Sequence, residues 1–350
     1  MTARGATFLA EIREQPSALL RLLEHADTYE EVARAAIERA PHIVRLVGHG
    51  SSDNAASYGV YAFGIQPGWT ALRDSISLSV YYGADLDMAS SVVVALSQSG
   101  RTPDVVAYVA RARERGALTV AVTNDPASEL ALAAEATLPL AAGPENAVAA
   151  SKTYMNQVAA LSLLAASIAG RRHEAVDGIE AVAQMMSDAL PEFERVVAGV
   201  ANAFAYVGRM YVIGRGIEFA TVRELALKLT ETCRIAAEPL TSTDLAHGPI
   251  AALDPLFPVW TIASRDKGLP TVVDAAKRAR AAGATLVASG NAAAEIEGAA
   301  YVVPVPDAPT PLLSPLLSIV PGQLFAAALA NARGLDSDHP EGLTKVTLAQ

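Results

Sequence analysis

The sequence predicts an α/β protein built twice over, each half around a parallel sheet. Three observations carry that expectation. Runs of Val, Ile and Leu alternate along the chain with Ala-rich segments of helical period studded with Arg and Glu, the pattern of βαβ units. The succession of strand, glycine-containing turn and helix that begins near Ile43 begins again near Met210. A length of 350 residues is long for one domain and comfortable for two, and either half could bury its own core.

The first forty residues read as helices, after which IVRLVGHG (residues 43–50) is a buried strand running into a turn. SVVVALSQSG (residues 91–100) reads the same way, and DVVAYVARARERGA follows as an amphipathic helix ending near Gly116. LTVAVTND (residues 118–125) is the next strand, and TLPLAAGPENAVAASKTY passes through a Gly-Pro turn into a long helix continuing toward Ile168. Between Gly170 and Val200 the spacing predicts a helical bridge interrupted by Pro191. The second cycle opens with YVIGRGIEFATVRELALKLTETC as strand, turn and helix. FPVWTIAS (residues 257–264) and TLVASG (residues 285–290) are further strands, separated by the helix TVVDAAKRARAAG. VVPVP enters a proline-rich connection, and LLSIVPGQLFAAALANARG supplies a closing helix. The expected organisation is a helical segment over residues 1–40, a first domain over 41–170, a bridge over 171–200, a second domain over 201–335 and a tail over 336–350.

Composition excludes several classes. Hydrophobic residues at 51% and charged residues at 18% suit a packed enzyme rather than a disordered chain. A net charge of −10 argues against a general nucleic-acid surface, which needs clustered Lys and Arg, while leaving room for a local anion site. The single cysteine, Cys233, can form no intramolecular disulfide and makes no zinc site by itself, so a reducing cytoplasm fits best. Acidic residues interrupt the N-terminal stretch where a signal peptide would need an apolar run. The longest apolar stretches, such as Val158 to Ala169, fall short of the roughly 20 residues that span a bilayer, so no membrane anchor is expected.

Three groups of residues could carry chemistry. Ser97-Gln98-Ser99-Gly100-Arg101-Thr102 stands where a buried strand gives way to a helix. Free backbone N–H groups and hydroxyls there suit a phosphate, although Ser and Thr are equally favoured as ordinary helix caps. Gly48-His49-Gly50-Ser51-Ser52-Asp53-Asn54 forms a second hydroxyl-rich turn on the same expected sheet edge, with His49 read as structural. Glu224, Lys228 and Glu231 are spaced i, i+4 and i+7 and share one helical stripe. A carboxylate beside a cation is a candidate acid/base group, and the same spacing describes a solvated ion-pair stripe. His247 before Gly248-Pro249 and Lys345 near the C-terminus read as surface residues from the sequence pattern alone.

Six motifs in order resemble the sugar isomerase (SIS) domain family, in particular the isomerase part of glutamine–fructose-6-phosphate aminotransferase and the glucosamine-6-phosphate deaminases. They are EIREQP from Glu11, SQSGRT, PENAVAASKTY from Pro144, RELALKLTETCRIAAE from Arg223, LAHGP from Leu245, and DHPEGLTKV near the end. The resemblance implies two doubly wound domains in tandem and a homodimer whose active sites borrow a histidine from the opposite subunit. It implies that Ser52, Ser97, Gln98, Ser99 and Thr102 hold the sugar phosphate and hydroxyls, with Val148, Ser151 and Glu224 also in the substrate site. Glu231 matches the family's proton-shuttling carboxylate, Lys228 its companion, His247 the ring-opening histidine and Lys345 the lysine of the tail that closes over the sugar.

Two features depart from the aminotransferase. The chain begins Met1-Thr2 and spends its first forty residues on helices, so no glutaminase cysteine is expected and ammonia would not come from glutamine. Ala150 stands where the aminotransferase pattern has a serine. The expected activity is that of a glucosamine-6-phosphate deaminase giving fructose-6-phosphate and ammonia. The alternatives are an isomerase or deglycase of another aldosamine or ketosamine phosphate, and a non-catalytic sugar-phosphate sensor. No basic helix-turn-helix precedes the first strand to support a sensor that binds DNA. No metal and no cofactor are expected, the only ligand being a phosphorylated amino sugar.

Overall fold

A computed structural model describes residues 4–41 and 43–345 of the protein. Of the expected tail, residues 346–350 lie outside the described residues. The chain divides into two compact units, one built from Ser17–Glu145, Lys152–Glu180 and the tail from Thr344. The other is built from the chain up to Pro16, Asn146–Ser151 and Ala181–Leu343.

The first unit holds β1 (Ile43–Val47), β2 (Thr70–Arg73), β3 (Ser91–Leu96), β4 (Leu118–Thr123) and β5 (Ala136–Pro139). All neighbours are parallel, in the order β2-β1-β3-β4-β5. Alternation along the strands divides the core between two faces. Val93 and Ala95 pack with Val105, Tyr108 and Val109 of the Pro103–Glu114 helix. Leu46 points the other way, where Gly59 and Leu161 bring the Ser51–Ile65 and Lys152–Ile168 helices onto the sheet. Helices on both faces explain why β3 and β4 are buried at every residue.

The second unit holds β6 (Arg209–Gly214), β7 (Ala236–Thr241), β8 (Pro258–Ile262), β9 (Thr285–Gly290) and β10 (Tyr301–Pro304). Its parallel order, β10-β9-β8-β6-β7, is the first unit's order read from the opposite edge. The duplication expected from the sequence is therefore a duplication of topology. One face buries Ile213, Val259 and Leu286 against Ala275 and Ala279 of the Leu269–Ala281 helix. On the other, Trp260 lies against Phe325 with ring centroids 4.7 Å apart.

Two expectations are corrected. Pro191 does not interrupt the bridge, because one continuous helix runs from Arg172 to Ala203 with Pro191 inside it. The ring occupies an exposed position, so the carbonyl it deprives of a partner can be met by water. The apolar stretch from Val158 is also not the longest. Among the described residues one helix, Pro311–Ala332, is long and apolar enough to cross a membrane, and 94% of its apolar window is buried within the protein. Gly322 on this helix lets Leu225 of the Phe219–Cys233 helix approach closely, the packing of a core element.

Candidate active site

In the first unit the chain leaves β1 toward β2 and returns to β3 on the other side, so β1 and β3 flank the switch point of the sheet. Ligands of open α/β sheets bind outside the carboxyl ends of strands at such a point. The two loops that emerge there are the two serine-rich turns. The first turn is packed closely against the end of β3, since a Cβ on Gly48 would come within 2.9 Å of Ser52 Cβ and 3.0 Å of the Leu96 carbonyl oxygen.

Within the second turn, Ser97 Oγ accepts the Gly100 N–H at 3.1 Å and lies 3.2 Å from Thr102 Oγ1. Ser99 Oγ accepts the Arg101 N–H at 3.3 Å. Gly100 has φ +63°, and a Cβ there would lie 2.0 Å from Ser128 Oγ, so only glycine fits this bend. Thr102 is the N-cap residue of the Pro103–Glu114 helix, yet its hydroxyl makes no capping bond. That geometry differs from an ordinary side-chain cap.

Around this turn, Ser52 is buried and its Oγ accepts a 2.8 Å bond from Gln157 Nε2. Gln98 is half-buried, and its carbonyl accepts the Asn124 N–H at 3.1 Å. His49 places Nε2 2.7 Å from Asp104 Oδ2, in the first turn of the helix. Also in this unit, Lys345 Nζ donates at 2.8 Å to Glu145 Oε2.

In the second unit the Phe219–Cys233 helix carries the charged stripe. Lys228 Nζ lies 3.4 Å from Glu224 Oε1 and 2.5 Å from Glu231 Oε2. The Glu231 contact is an ion pair without the directed geometry of a hydrogen bond. Glu224 and Lys228 are fully buried, whereas 22% of the Glu231 side chain is exposed. The stripe is thus not solvated. Glu231 lines a cleft of about 570 Å³ with Thr230, Arg234, Asp336, His339 and Glu341. His247 does not line that cleft; it is exposed at the end of the short turn Asp244–His247 that follows β7.

Val148 and Ser151 also belong to this unit. The Val148 N–H donates to the Asp338 carbonyl at 3.0 Å, and Gln323 Nε2 donates to the Ser151 carbonyl at 3.4 Å. Buried Glu11 accepts the Asn146 N–H at 2.5 Å and the Ala147 N–H at 3.3 Å. The Asp338 carboxylate accepts the N–H groups of Thr7 and Phe8 at 3.1 and 2.7 Å. Glu11, of the EIREQP motif, and Asp338, of the DHPEGLTKV motif, are thereby tied to the Val148 segment.

Glu145, Gln157 and Glu218 were not singled out by the sequence. Glu218 is fully buried after β6 and accepts hydrogen bonds from Ser264, Ser318 and Thr221. Burial pushes its carboxyl above the usual carboxylate range, partly offset by the three hydroxyls. Burial likewise pushes the Cys233 thiol up to about 11, so it stays protonated and inert.

A duplicated, doubly wound α/β chain with hydroxyl-rich loops at a switch point is an architecture that binds small ligands at its strand ends, and comparison with known proteins names the family. The chain belongs to the SIS domain family, whose model matches residues 37–167 and 204–332. It is 34% identical over 360 residues to the isomerizing glutamine–fructose-6-phosphate aminotransferase of Aeropyrum pernix, covering 98% of this chain and 57% of that protein. The chain spans about half the length of the curated relatives it matches. A protein of Silicibacter pomeroyi DSS-3, described as a candidate phosphosugar isomerase, superposes with a TM-score of 0.86 at 33% identity, covering 95% of this chain and 99% of that one. Glucosamine-6-phosphate deaminase of Thermotoga maritima superposes with a TM-score of 0.75 over 97% of this chain and 99% of that one. At 22% identity that likeness is one of fold.

Proposed function

We propose that the protein is a cytoplasmic amino-sugar-phosphate deaminase of the isomerising kind, converting glucosamine 6-phosphate to fructose 6-phosphate and ammonia. The observation that carries this reading is the buried Glu224–Lys228–Glu231 stripe. Two carboxylates and an ammonium on one helix, two of the three without solvent exposure, are costly to bury for stability alone. Such groups cluster where protons are moved, and Glu231 is the member that reaches a cleft.

In this reading Ser97, Ser99 and Thr102, with Ser52 and Gln98, hold the phosphate and sugar hydroxyls, and Val148, Ser151 and Glu224 complete the substrate contacts. His247, exposed on its turn, opens the sugar ring and serves the opposite subunit of a homodimer. Glu231 then removes the proton from C2 of the open aldosamine and returns it to C1. The C2–N bond becomes an imine, water adds at C2, and ammonia leaves. Lys228, paired with Glu231 at 2.5 Å, holds that carboxylate in place, and Lys345 contacts the open-chain sugar.

A second reading is an aldose–ketose isomerase that releases no ammonia. It is favoured by the Silicibacter pomeroyi protein, which matches along 99% of its own length at 33% identity and is described as a candidate phosphosugar isomerase. A panel of hexosamine and hexose 6-phosphates, followed for ammonia and for ketose, separates the two. Ammonia with ketose supports the deaminase, ketose without ammonia supports the isomerase, and binding without turnover leaves a sensor.

A further inference from the structure

Glu145 lies in the stretch between β5 and the Lys152–Ile168 helix, with its side chain fully buried. Its Oε1 accepts the Thr153 N–H at 3.0 Å, and its Oε2 accepts the Thr153 hydroxyl at 2.7 Å. The carboxylate therefore rests on the first turn of that helix, where the backbone dipole favours a negative charge. The same Oε2 receives Lys345 Nζ at 2.8 Å, from 200 residues further along the chain. Lys345 keeps 24% of its side chain exposed. One end of the pair is thus fixed in the interior and the other comes from the tail.

This arrangement differs from the surface ion pairs of the protein. Arg278–Asp274, for example, joins two side chains that are each more than half exposed, and either charge could return to water if the pair broke. Glu145 has no such exit. Separating Lys345 from it removes a cation from a buried carboxylate, so the bound position of the tail is strongly preferred. A lysine otherwise swings on four rotatable carbons.

We propose that Glu145 is the positioning residue for Lys345, holding the tail ammonium at a fixed point so that it meets the sugar phosphate without first being ordered. The inference rests on the reading of Lys345 as a substrate contact. It adds the group that places that contact, a residue inside the PENAVAASKTY motif to which the resemblance assigns no role. Ordering a long side chain before the substrate arrives moves its entropy cost from turnover to folding.

Two measurements test it, and the first needs no substrate. Trypsin cleaves after Lys345 only when its side chain leaves Glu145, so loss of the residues that follow Lys345, read by mass spectrometry, reports the clasp. Glu145→Gln should be cut there at least about tenfold faster than the parent, as expected when cleavage tracks the open population. Glu145→Asp should fall between them, and Thr153→Val, which keeps the ion pair, should stay close to the parent. Equal rates for the parent and Glu145→Gln, both folded by thermal melt, overturn the clasp. Should Glu145→Gln not fold, the Asp variant carries the test alone, and parent-like cleavage of it overturns the clasp.

The second measurement is turnover on whichever sugar phosphate proves to be the substrate. Glu145→Gln should lower kcat by about tenfold or more with little change in KM, and should add nothing further in a Lys345→Met background. An undiminished Glu145→Gln effect in that background means that Glu145 acts independently of Lys345, and the proposal fails. A clasp confirmed by proteolysis but with parent-like kcat for Lys345→Met removes the substrate role of Lys345 and the positioning role with it. The deaminase and isomerase readings are decided separately by the product panel.

Discussion

Ser264 donates a 2.6 Å hydrogen bond to Oε1 of Glu218, at the carboxyl edge of the second sheet. Ser264 follows β8 as Ser97 follows β3, and Glu218 follows β6 as Ser52 follows β1. Where the first unit gathers hydroxyls, the second sets a buried carboxyl among three of them. The fold is repeated, but the groups that stand at the carboxyl ends of the strands are not.

A pH dependence follows for stability. Burial raises the folded-state pKa of Glu218 above its unfolded value, so as pH rises the unfolded chain ionises first. The stability that the group contributes is fully present below the unfolded pKa and is lost as pH rises through the folded one. Glu218→Gln stays neutral throughout and keeps an acceptor for Ser264 and Ser318. The melting temperature of the variant minus that of the parent should therefore become more positive from pH 4 to pH 8. A difference that is flat, or that shrinks with pH, contradicts the assignment.

The sequence was most legible at the centres of the sheets and least at their edges. β1, β3, β4, β6, β8 and β9 were read as strands, and β3 and β4 are buried at every residue. The four strands not recognised, β2, β5, β7 and β10, are the four sheet edges. Each has mixed exposure, and β5, β7 and β10 each carry a proline, which argues against a strand in the sequence. The Glu224–Lys228–Glu231 spacing was visible, but whether it faced water was decided only by the burial of Glu224 and Lys228 in the folded chain. Glu218 and Glu145 gave no sign in the sequence because, Thr221 and Thr153 apart, their partners are distant along the chain. Ser318 stands 100 residues from Glu218, and Lys345 stands 200 from Glu145.

Gly100→Ala tests how tightly the bend of the Ser97–Thr102 turn is specified. Alanine must adopt φ near +63° and place its Cβ 2.0 Å from Ser128 Oγ and 2.4 Å from Ser128 Cβ. A left-handed alanine costs roughly 1 kcal/mol before any clash, and the clash with Ser128 adds to it. The variant should melt several degrees below the parent and bind sugar phosphate more weakly. A parent-like melt would mean that the loop relaxes freely.

Replacing Ser97, Ser99 and Thr102 together by alanine separates ligand binding from fold. Ser97 Oγ braces Gly100 and Thr102, so a modest loss of stability is expected, on the order of 1 kcal/mol per hydrogen bond removed. The larger effect should be on affinity for a sugar phosphate, measured by calorimetry and fading for the unphosphorylated sugar. Unchanged affinity in a folded triple variant would remove the loop from the site.

Lys228 and Glu231 share an ion pair, and their variants should fail in different ways. Lys228→Met takes the ammonium away from Glu224, which is fully buried, and from Glu231. Breaking a buried pair on one side typically costs about 3–5 kcal/mol, so this variant should unfold early whether or not substrate is present. Glu231→Gln leaves Lys228 beside Glu224 and changes a side chain that is partly exposed on the cleft. Its melt should stay within a few degrees of the parent. An amide cannot accept a carbon-bound proton and return it, and general-base catalysis contributes roughly 10² to 10⁴-fold. Glu231→Gln should therefore lose at least about two orders of magnitude in kcat with a far smaller change in substrate binding. It should also stop incorporating solvent deuterium at C1 of the product. Parent-like turnover by Glu231→Gln would exclude Glu231 as the base and direct the search to Glu224, the other carboxylate that Lys228 touches.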